Sequence, residues 1–440
     1  MEITIFGTGY VGLVTAACMS EMGNYVTCID IDKSRIKKLN NNQIPFYEPG
    51  LLELIKSNKE RLSFINQITL QASKAKIVFI TVGTPLNQSG KIELKFIYDV
   101  VDSISESFSD GTIIVIKSTV PIGTSKNIKK LLINKKNKKK YHIVNNPEFL
   151  KEGDAIRDFM HPDRIVIGSS EKHAINTLKK LYAPFLIKND RLIIMGNEEA
   201  ELVKYASNSM LATKISFINE ISNICDKLNI DVENIRKGIG SDSRIGFSFI
   251  YPGIGYGGSC FDKDITALIN TAQMLDLNPV LLKAASTRNT FQKQILNKKI
   301  QIKFKNLKNK CFGMWGLSFK PQTDDVRNAC SIDIINYLLK NNCKLKVFDP
   351  VANNRIHTLY RNHKNFNKIV FCDNQYDAIK DVNALILSTE WKIFRNPDFN
   401  ILKKNMTEHI IFDGRNQYDP LILKEKGFEY YGIGRGNTSQ

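Results

Sequence analysis

The chain is 440 residues long, 42% hydrophobic and 24% charged, with a formal net charge of +18. That length predicts about three domains at roughly 150 residues each, with the composition of a globular chain rather than a disordered one. No apolar run approaches a membrane span and no signal peptide is expected; the eight cysteines and six histidines show no Cys-x-x-Cys pair and no shared cluster, which argues against zinc or a disulfide framework and for a reducing cytoplasm.

The lysine excess admits two readings. It suits polyanionic partners such as nucleotides, nucleic acid or an anionic membrane. Equally, lysine and asparagine are abundant along the whole chain. The densest run, Lys135–Lys140, follows a predicted helix and lacks interleaved aromatics. A solvated loop is therefore expected there, and neither nucleic acid nor membrane is an expected partner.

The first elements are a strand over residues 1–6, the turn Gly7-Thr8-Gly9-Tyr10-Val11-Gly12, a helix Leu13–Met22, and a strand Tyr25–Asp30 that ends in an acid. Strand, glycine turn, helix, strand and acid in this order form the dinucleotide fingerprint. Gly7 makes the turn, Gly9 admits the pyrophosphate, and Gly12 lets the helix pack on the sheet. Asp30 is expected to bind the adenosine ribose and repel a 2′-phosphate, which favours NAD over NADP. Arg35 is counted with this cofactor set.

Two further strand–turn units follow. One runs from Lys76–Val82 into Gly83-Thr84-Pro85, the other from Thr112–Lys117 into Ser118-Thr119-Val120-Pro121. Both place small hydroxylic residues where a parallel strand ends, the edge at which such sheets bind ligands. The strand near His142 then enters a loop carrying Glu148 and Glu152, whose role the spacing alone leaves open.

Over Glu199–Leu228, Leu202, Ala206, Met210, Phe217, Ile221 and Ile224 recur with the period of a long amphipathic helix. Lys204 and Asn208 lie one turn apart on another face, aimed at one target or simply on the surface. The helix is long enough to bridge domains and to form a dimer surface. The stretch Tyr251–Asp264 follows, with Gly253, Gly255, Gly257 and Gly258 marking tight turns or a close ligand approach. Cys260 then opens a predicted helix, whose N-terminal end favours negative charge on its sulfur, with Asp264 one turn away. Either Cys260 is a nucleophile, or it is a buried cysteine beside a structural glycine loop.

The third section begins again as a nucleotide-type fold. A strand Cys311–Trp315 and Gly316 lead to Phe319-Lys320 and Arg327, then a helix Ser331–Lys340 and a strand Lys344–Asp349 ending in an acid. Further strands at Ala384–Ser388 and Ile410–Asp413 complete it, and the tail after Gly432 reads as polar and loose. The expected architecture is α/β: two doubly wound, Rossmann-like domains joined by a central helical domain, with boundaries at 1–196, 197–305 and 306–440.

Gly-Thr-Gly-Tyr-Val-Gly (7–12), Thr-Val-Gly-Thr-Pro (81–85), Ser-Thr-Val-Pro (118–121), Asn-Pro-Glu-Phe-Leu-Lys-Glu (146–152), Lys204 with Asn208, Gly-Gly-Ser-Cys-Phe (257–261), Ser-Phe-Lys-Pro (318–321) and Asp-Gly-Arg-Asn (413–416) together resemble the nucleotide-sugar 6-dehydrogenases over nearly the whole chain. The stretch 251–258 points to the UDP-glucose branch. The resemblance implies a four-electron oxidation of a primary alcohol to a carboxylate, here UDP-glucose to UDP-glucuronate, with two NAD in succession. It further implies a thiohemiacetal and then a thioester on Cys260. Asp264, through water held with Thr119, would take the hydroxyl proton; Lys204 and Asn208 would stabilise oxyanions; Glu152, with Glu148 nearby, would handle the hydrolytic water.

By the same resemblance Thr84, Pro85, Thr119, Glu152, Lys263 and Arg327 face the cofactor. Glu148, Phe149, Leu150, Lys204, Asn208, Tyr251, Gly253, Gly257, Phe319 and Lys320 face the substrate, and Arg244 reaches it from a second subunit of a homodimer or larger oligomer. No metal is implied. One departure stands out: the family usually shows Cys-Phe-Pro-Lys-Asp, whereas this chain has Asp262. The extra acid either opposes thiolate formation or strengthens the helix start. The alternatives are a GDP-mannose or UDP-N-acetylhexosamine dehydrogenase, a single-step hydroxyacid dehydrogenase, an inactive NAD-binding scaffold, and a basic nucleic-acid binder.

Overall fold

The structure is a computed structural model that describes residues 1–87, 90–135, 139–186 and 191–436. The chain forms two compact units, Met1–Ser207 with Thr266–Leu275, and Asn208–Ile265 with Asp276–Gln440.

In the first unit the strands are β1 (Glu2–Phe6), β2 (Tyr25–Ile29), β3 (Leu62–Ile65), β4 (Ile77–Ile80), β5 (Ile113–Ile116), β6 (His142–Asn145), β7 (Ile165–Gly168) and β8 (Leu192–Met195). They form one sheet in the order β3-β2-β1-β4-β5-β6-β7-β8, parallel except where β7 runs against β6. β4 and β5 read Ile-Val-Phe-Ile and Ile-Ile-Val-Ile, and every residue in them is buried. Such unbroken apolar runs are what strands covered on both faces require. The strand order reverses between β1 and β4, so the turns after β1, β4 and β5 share the crevice edge of the sheet.

The second unit repeats the plan. Its strands β9 (Cys311–Trp315), β10 (Lys344–Phe348), β11 (Ile369–Phe371), β12 (Ala384–Leu387), β13 (Ile410–Asp413) and β14 (Glu429–Tyr431) lie in the order β11-β10-β9-β12-β13-β14, all parallel. Trp315 is fully buried and stacks on Phe394 with ring centroids 5.1 Å apart. The doubly wound α/β class expected from the sequence holds for both sheets.

Some expected boundaries move. The first helix spans Tyr10–Glu21, starting inside the glycine turn rather than at Leu13. Gly12 makes this possible, since a Cβ there would stand 1.9 Å from the Gly7 carbonyl oxygen. The tail is not loose through residue 436: Ile433 is fully buried, Val232 N donates to Gly434 O at 2.8 Å, and Arg435 pairs with Asp231 at 3.2 Å. These contacts outweigh its polar composition, and residues 437–440 lie outside the described ones. In the lysine run, Lys136, Asn137 and Lys138 also lie outside them; Lys135 pairs with Asp102 at 2.7 Å, and Lys139 Nζ donates to Phe108 O at 2.7 Å.

The long helix spans Asn197–Leu228, and the face it buries carries many of its polar residues beside Tyr205, Ala212, Ile218 and Cys225, with Ile221 of the expected stripe half-buried. Glu201, Lys204, Asn208, Ser209, Ser216, Asn219 and Ser222 are all buried. Leu202, Met210, Phe217 and Ile224 are 41%, 62%, 53% and 50% exposed, and Ala206 is exposed with them. The inversion has a cause: apart from the Ser209 hydroxyl, these polar side chains each serve a backbone or side-chain partner. Glu201, for instance, accepts from Gly123 N at 2.6 Å and Ser125 N at 2.8 Å.

Candidate active site

In the first unit the β1 turn is shaped for a bound pyrophosphate. Gly7 has φ +100, a conformation glycine adopts without strain. A Cβ at Gly9 would meet nothing within 4 Å, so the backbone lies open there, and no side chain caps the helix it begins. Unclaimed amides at a helix start with open space before them suit an anionic group. Asp30 follows β2, with Oδ2 accepting from Thr8 N at 2.8 Å and Thr8 Oγ1 at 2.7 Å, and from Arg35 at 3.2 Å. Burial pushes its carboxyl up, but these donors and the Asp32 amide outweigh it and hold the group below its ordinary value. Ionised, and with Oδ1 engaged by the Asp32 amide at 3.0 Å, Asp30 suits a ribose hydroxyl. A dinucleotide therefore fits this turn. Thr84 is half-buried and Pro85 exposed after β4, and Thr119 is half-buried after β5.

The second sheet has the same turn and acid, but closed. Asp349 accepts from Leu317 N at 2.7 Å, Ser318 N at 3.1 Å and Trp391 Nε1 at 3.1 Å on one oxygen. Its other oxygen accepts from Val351 N at 3.0 Å and Ala352 N at 2.9 Å. The acid is consumed internally, so the sequence likeness of the two turns does not make them equivalent.

Returning to the first unit, Lys204 Nζ lies 3.3 Å from Glu148 Oε2, with both side chains buried. Phe149 sits below the Lys204 ammonium, its centroid 5.4 Å away, and the Arg164 guanidinium covers the same ring at 3.9 Å. Lys204 is thus no surface residue. Glu152 and Leu150 are half-buried. Tyr10, Val11 and Gly9 are half-buried in the β1 turn, and Tyr10 Oη donates to Glu48 at 2.7 Å.

Two groups here carry no obvious signal in the sequence. Glu48, 3% exposed, also accepts from Gly153 N at 2.6 Å and Ala155 N at 2.8 Å, pinning the loop that carries Glu152. Lys117, 6% exposed, donates to Asn146 Oδ1 at 3.1 Å; burial pushes its ammonium down to about 8, Glu148 acts against that shift and Lys204 adds to it. A lysine ending an apolar strand was the one clue to Lys117.

In the second unit Cys260 precedes the helix Phe261–Met274, and its carbonyl accepts the first-turn amide of Asp264 at 2.8 Å. It is the one exposed cysteine of the eight, which removes the buried-cysteine reading. Asn208 Nδ2 donates to Asp264 Oδ2 at 2.6 Å, and Lys263 Nζ meets Asp264 Oδ1 at 2.6 Å. The structure therefore brings Asn208, Lys263 and Asp264 into one cluster, beside the helix start that carries Cys260.

The glycines before Cys260 make room for protein. A Cβ at Gly253 would stand 3.0 Å from Gly414 O, at Gly257 2.5 Å from Asn328 O, and at Gly258 2.9 Å from the Phe319 ring. Side chains that the sequence did not flag hold this loop. Asn219 Oδ1 accepts from Gly253 N at 2.9 Å, and Gln292 Nε2 donates to Gly253 O at 2.7 Å. Asn289 exchanges hydrogen bonds with both backbone groups of Tyr256, at 2.9 and 3.1 Å. Asn289 and Gln292, three apart on a helix, are buried amides, and that spacing was the available signal.

Elsewhere in this unit, Tyr251 is 63% exposed and stacks under Arg236 at 4.4 Å. Phe319 and Lys320 are half-buried, the Lys320 ammonium 5.5 Å from the Phe319 centroid. Arg327 pairs with Asp325 and Arg244 with Asp242, each at 2.6 Å, and the Arg244 side chain is 87% exposed. No helix among the described residues is long and apolar enough to cross a membrane. Among them, no group of three or more His, Cys, Asp or Glu side chains could hold a metal ion.

Comparison with known proteins matches three family models in chain order. Residues 1–186 match the NAD binding domain of the UDP-glucose/GDP-mannose dehydrogenase family, 198–290 its central domain and 313–420 its UDP binding domain. The chain is 41% identical over 442 aligned positions to a UDP-glucose 6-dehydrogenase of Pseudomonas aeruginosa, covering 99% of this chain and 98% of that one. It is 38% identical to the UDP-glucose 6-dehydrogenase TuaD of Bacillus subtilis, covering 99% and 93%. Among solved structures, a UDP-glucose dehydrogenase of Pyrobaculum islandicum superposes with a TM-score of 0.87 at 30% identity, covering 98% of this chain and 97% of that one.

Proposed function

The chain belongs to the UDP-glucose/GDP-mannose dehydrogenase family, and on that premise we infer its reaction and the residues that perform it. It is an NAD-dependent oxidoreductase that oxidises UDP-glucose. The product is UDP-glucuronate, reached by removing two hydrides from C6. Bound at the Gly7–Gly12 turn, NAD supplies the acceptor for each hydride.

The observation that carries the mechanistic reading is Cys260, alone exposed among the cysteines and placed at a helix start. Its sulfur adds to the aldehyde carbon, and the tetrahedral adduct loses a hydride to become a thioester that water cleaves. The Lys204 ammonium and the Asn208 amide, one turn apart on the same helix, stabilise the oxyanions. Asp264 is the proposed acceptor of the hydroxyl proton, through a water that Thr119 helps to hold. Glu152 handles the hydrolytic water, with Glu148 fixing Lys204.

Residues 1–196 are assigned to NAD, 197–305 to the cysteine loop and subunit contact, and 306–440 to the UDP moiety, with Phe319 and Lys320 facing substrate and Arg327 the cofactor. The apolar stripe left uncovered on the long helix supports a homodimer or larger oligomer, in which Arg244 serves the neighbouring site. A reducing cytoplasm is the proposed location.

The test is a count of NADH per sugar. Intact enzyme with limiting UDP-glucose is expected to yield about two NADH per sugar. Cys260→Ser is expected to lose steady turnover and to show an ester-linked adduct by intact mass. Full two-step turnover by Cys260→Ala would overturn the nucleophile assignment, and a preference for GDP-mannose or a UDP-N-acetylhexosamine would overturn the branch.

A further inference from the structure

The helix Val280–Gln292 holds the glycine loop through Asn289 and Gln292, and the residue that caps it, Lys293, continues the same face. Lys293 Nζ donates to Asn328 O at 3.2 Å, the carbonyl against which Gly257 packs. The same ammonium lies 3.7 Å from Asp262 Oδ2, with the lysine side chain 14% exposed and the aspartate 34%. Asp262 belongs to the first turn of the helix that Cys260 opens. One cation thus ties the start of that helix to the segment packed on its glycines.

The charges around it are unbalanced without the lysine. Facing Asp262 are Lys293, the Tyr256 phenol, and Asp333 and Cys330 from the helix Cys330–Lys340. Burial pushes the carboxyls of Asp262 and Asp333 up, and Lys293 offsets part of that rise in both, which stay above their ordinary values. Along its own helix Cys260 also has Lys263 and Asp264, which are paired with each other. Asp262 is therefore the first-turn acid whose ion-pair partner comes from outside its own helix.

We propose that Lys293 is a positioning residue for Cys260: it neutralises the Asp262 carboxylate in the first turn of the helix that Cys260 opens and locks that helix start to the Asn328 carbonyl. The proposal rests on Cys260 being the nucleophile. Without Lys293, an anion two residues from Cys260 would oppose the negative charge that the helix end favours.

The test is the pH dependence of Cys260 alkylation by iodoacetamide in the full-length enzyme, from about pH 6 to 9, read by mass of the Cys260 peptide. Lys293→Met is expected to raise the apparent thiol pKa by about half to one unit, so alkylation near neutral pH slows roughly three- to tenfold. Asp262→Asn added to Lys293→Met is expected to return the profile to within about twofold of the parent, and Lys293→Arg to leave it in place. An unshifted profile in Lys293→Met, or a double variant that stays slow, overturns the proposal. Should Lys293→Met not fold, the double variant decides: it is expected to fold and match the parent, and its failure counts against the proposal. Turnover by Cys260→Ala tests the nucleophile separately, because the alkylation profile reports on Lys293 whether or not catalysis needs the thiol.

Discussion

Asn208 donates its side-chain amide to Asp264 at 2.6 Å, joining the long helix to the first turn of the helix that Cys260 opens. Asp264 is 1% exposed, so each donor it keeps offsets the cost of burying its charge. Asn208→Ala should therefore destabilise the fold by about 1.5–3 kcal/mol, the range for a hydrogen bond to a charged group, and should lower kcat at least tenfold. Asn208→Asp, which opposes two carboxylates, should be less stable still at neutral pH and recover as the pH falls. Urea unfolding midpoints and NADH initial rates check both; parent-like values for the pair would refute the link.

Asp30 should decide the cofactor. Its charge is secured by Thr8, Asp32 and Arg35, and a 2′-phosphate would meet it directly. The intact enzyme is expected to prefer NAD strongly. Asp30→Ala should narrow the preference by raising KM for NAD and freeing Arg35 to meet a 2′-phosphate, without abolishing turnover. Equal kcat/KM for NAD and NADP in the parent enzyme would contradict the assignment.

Lys117 should leave a mark on stability above neutral pH. Its ammonium is pushed down to about 8 by burial, against an unfolded value of about 10.4. Between those values the unfolded chain holds a proton that the folded one has lost, so stability rises with pH across that window. The gain is about 3 kcal/mol at most. Lys117→Met should abolish that rise and be at least as stable as the parent near pH 7. Identical alkaline profiles for the two proteins would show that Lys117 stays charged.

The exposed stripe on the long helix predicts its own disruption. Phe217→Glu, at a position 53% exposed in the single chain, should convert the enzyme to monomers in sedimentation without lowering the unfolding midpoint of the isolated subunit. If Arg244 serves a neighbouring subunit, mixing Arg244→Ala with Cys260→Ala chains should restore active hybrid sites. A fully active monomer of the parent enzyme would sink the oligomer proposal.

Much of this protein is set by local pattern. The Gly7–Gly12 turn, Asp30 and the apolar runs of β4 and β5 state a doubly wound sheet outright, because turn geometry and strand burial act over a few neighbouring residues. Cys260 at a helix start is equally local. What only the tertiary structure decided is which of two similar acids stays available, which face of the long helix is buried, and what the loop glycines make room for. Asp30 and Asp349 each end a strand after a glycine turn, yet Trp391, 42 residues further on, closes the second. The helix buries Lys204 and Asn208 and exposes Met210 and Phe217 because Glu148 and Asp264, each 56 residues distant, supply the partners. Hydrophobic periodicity measures how apolar a face is; whether a polar face can be buried depends on hydrogen-bond partners that the fold alone brings within reach.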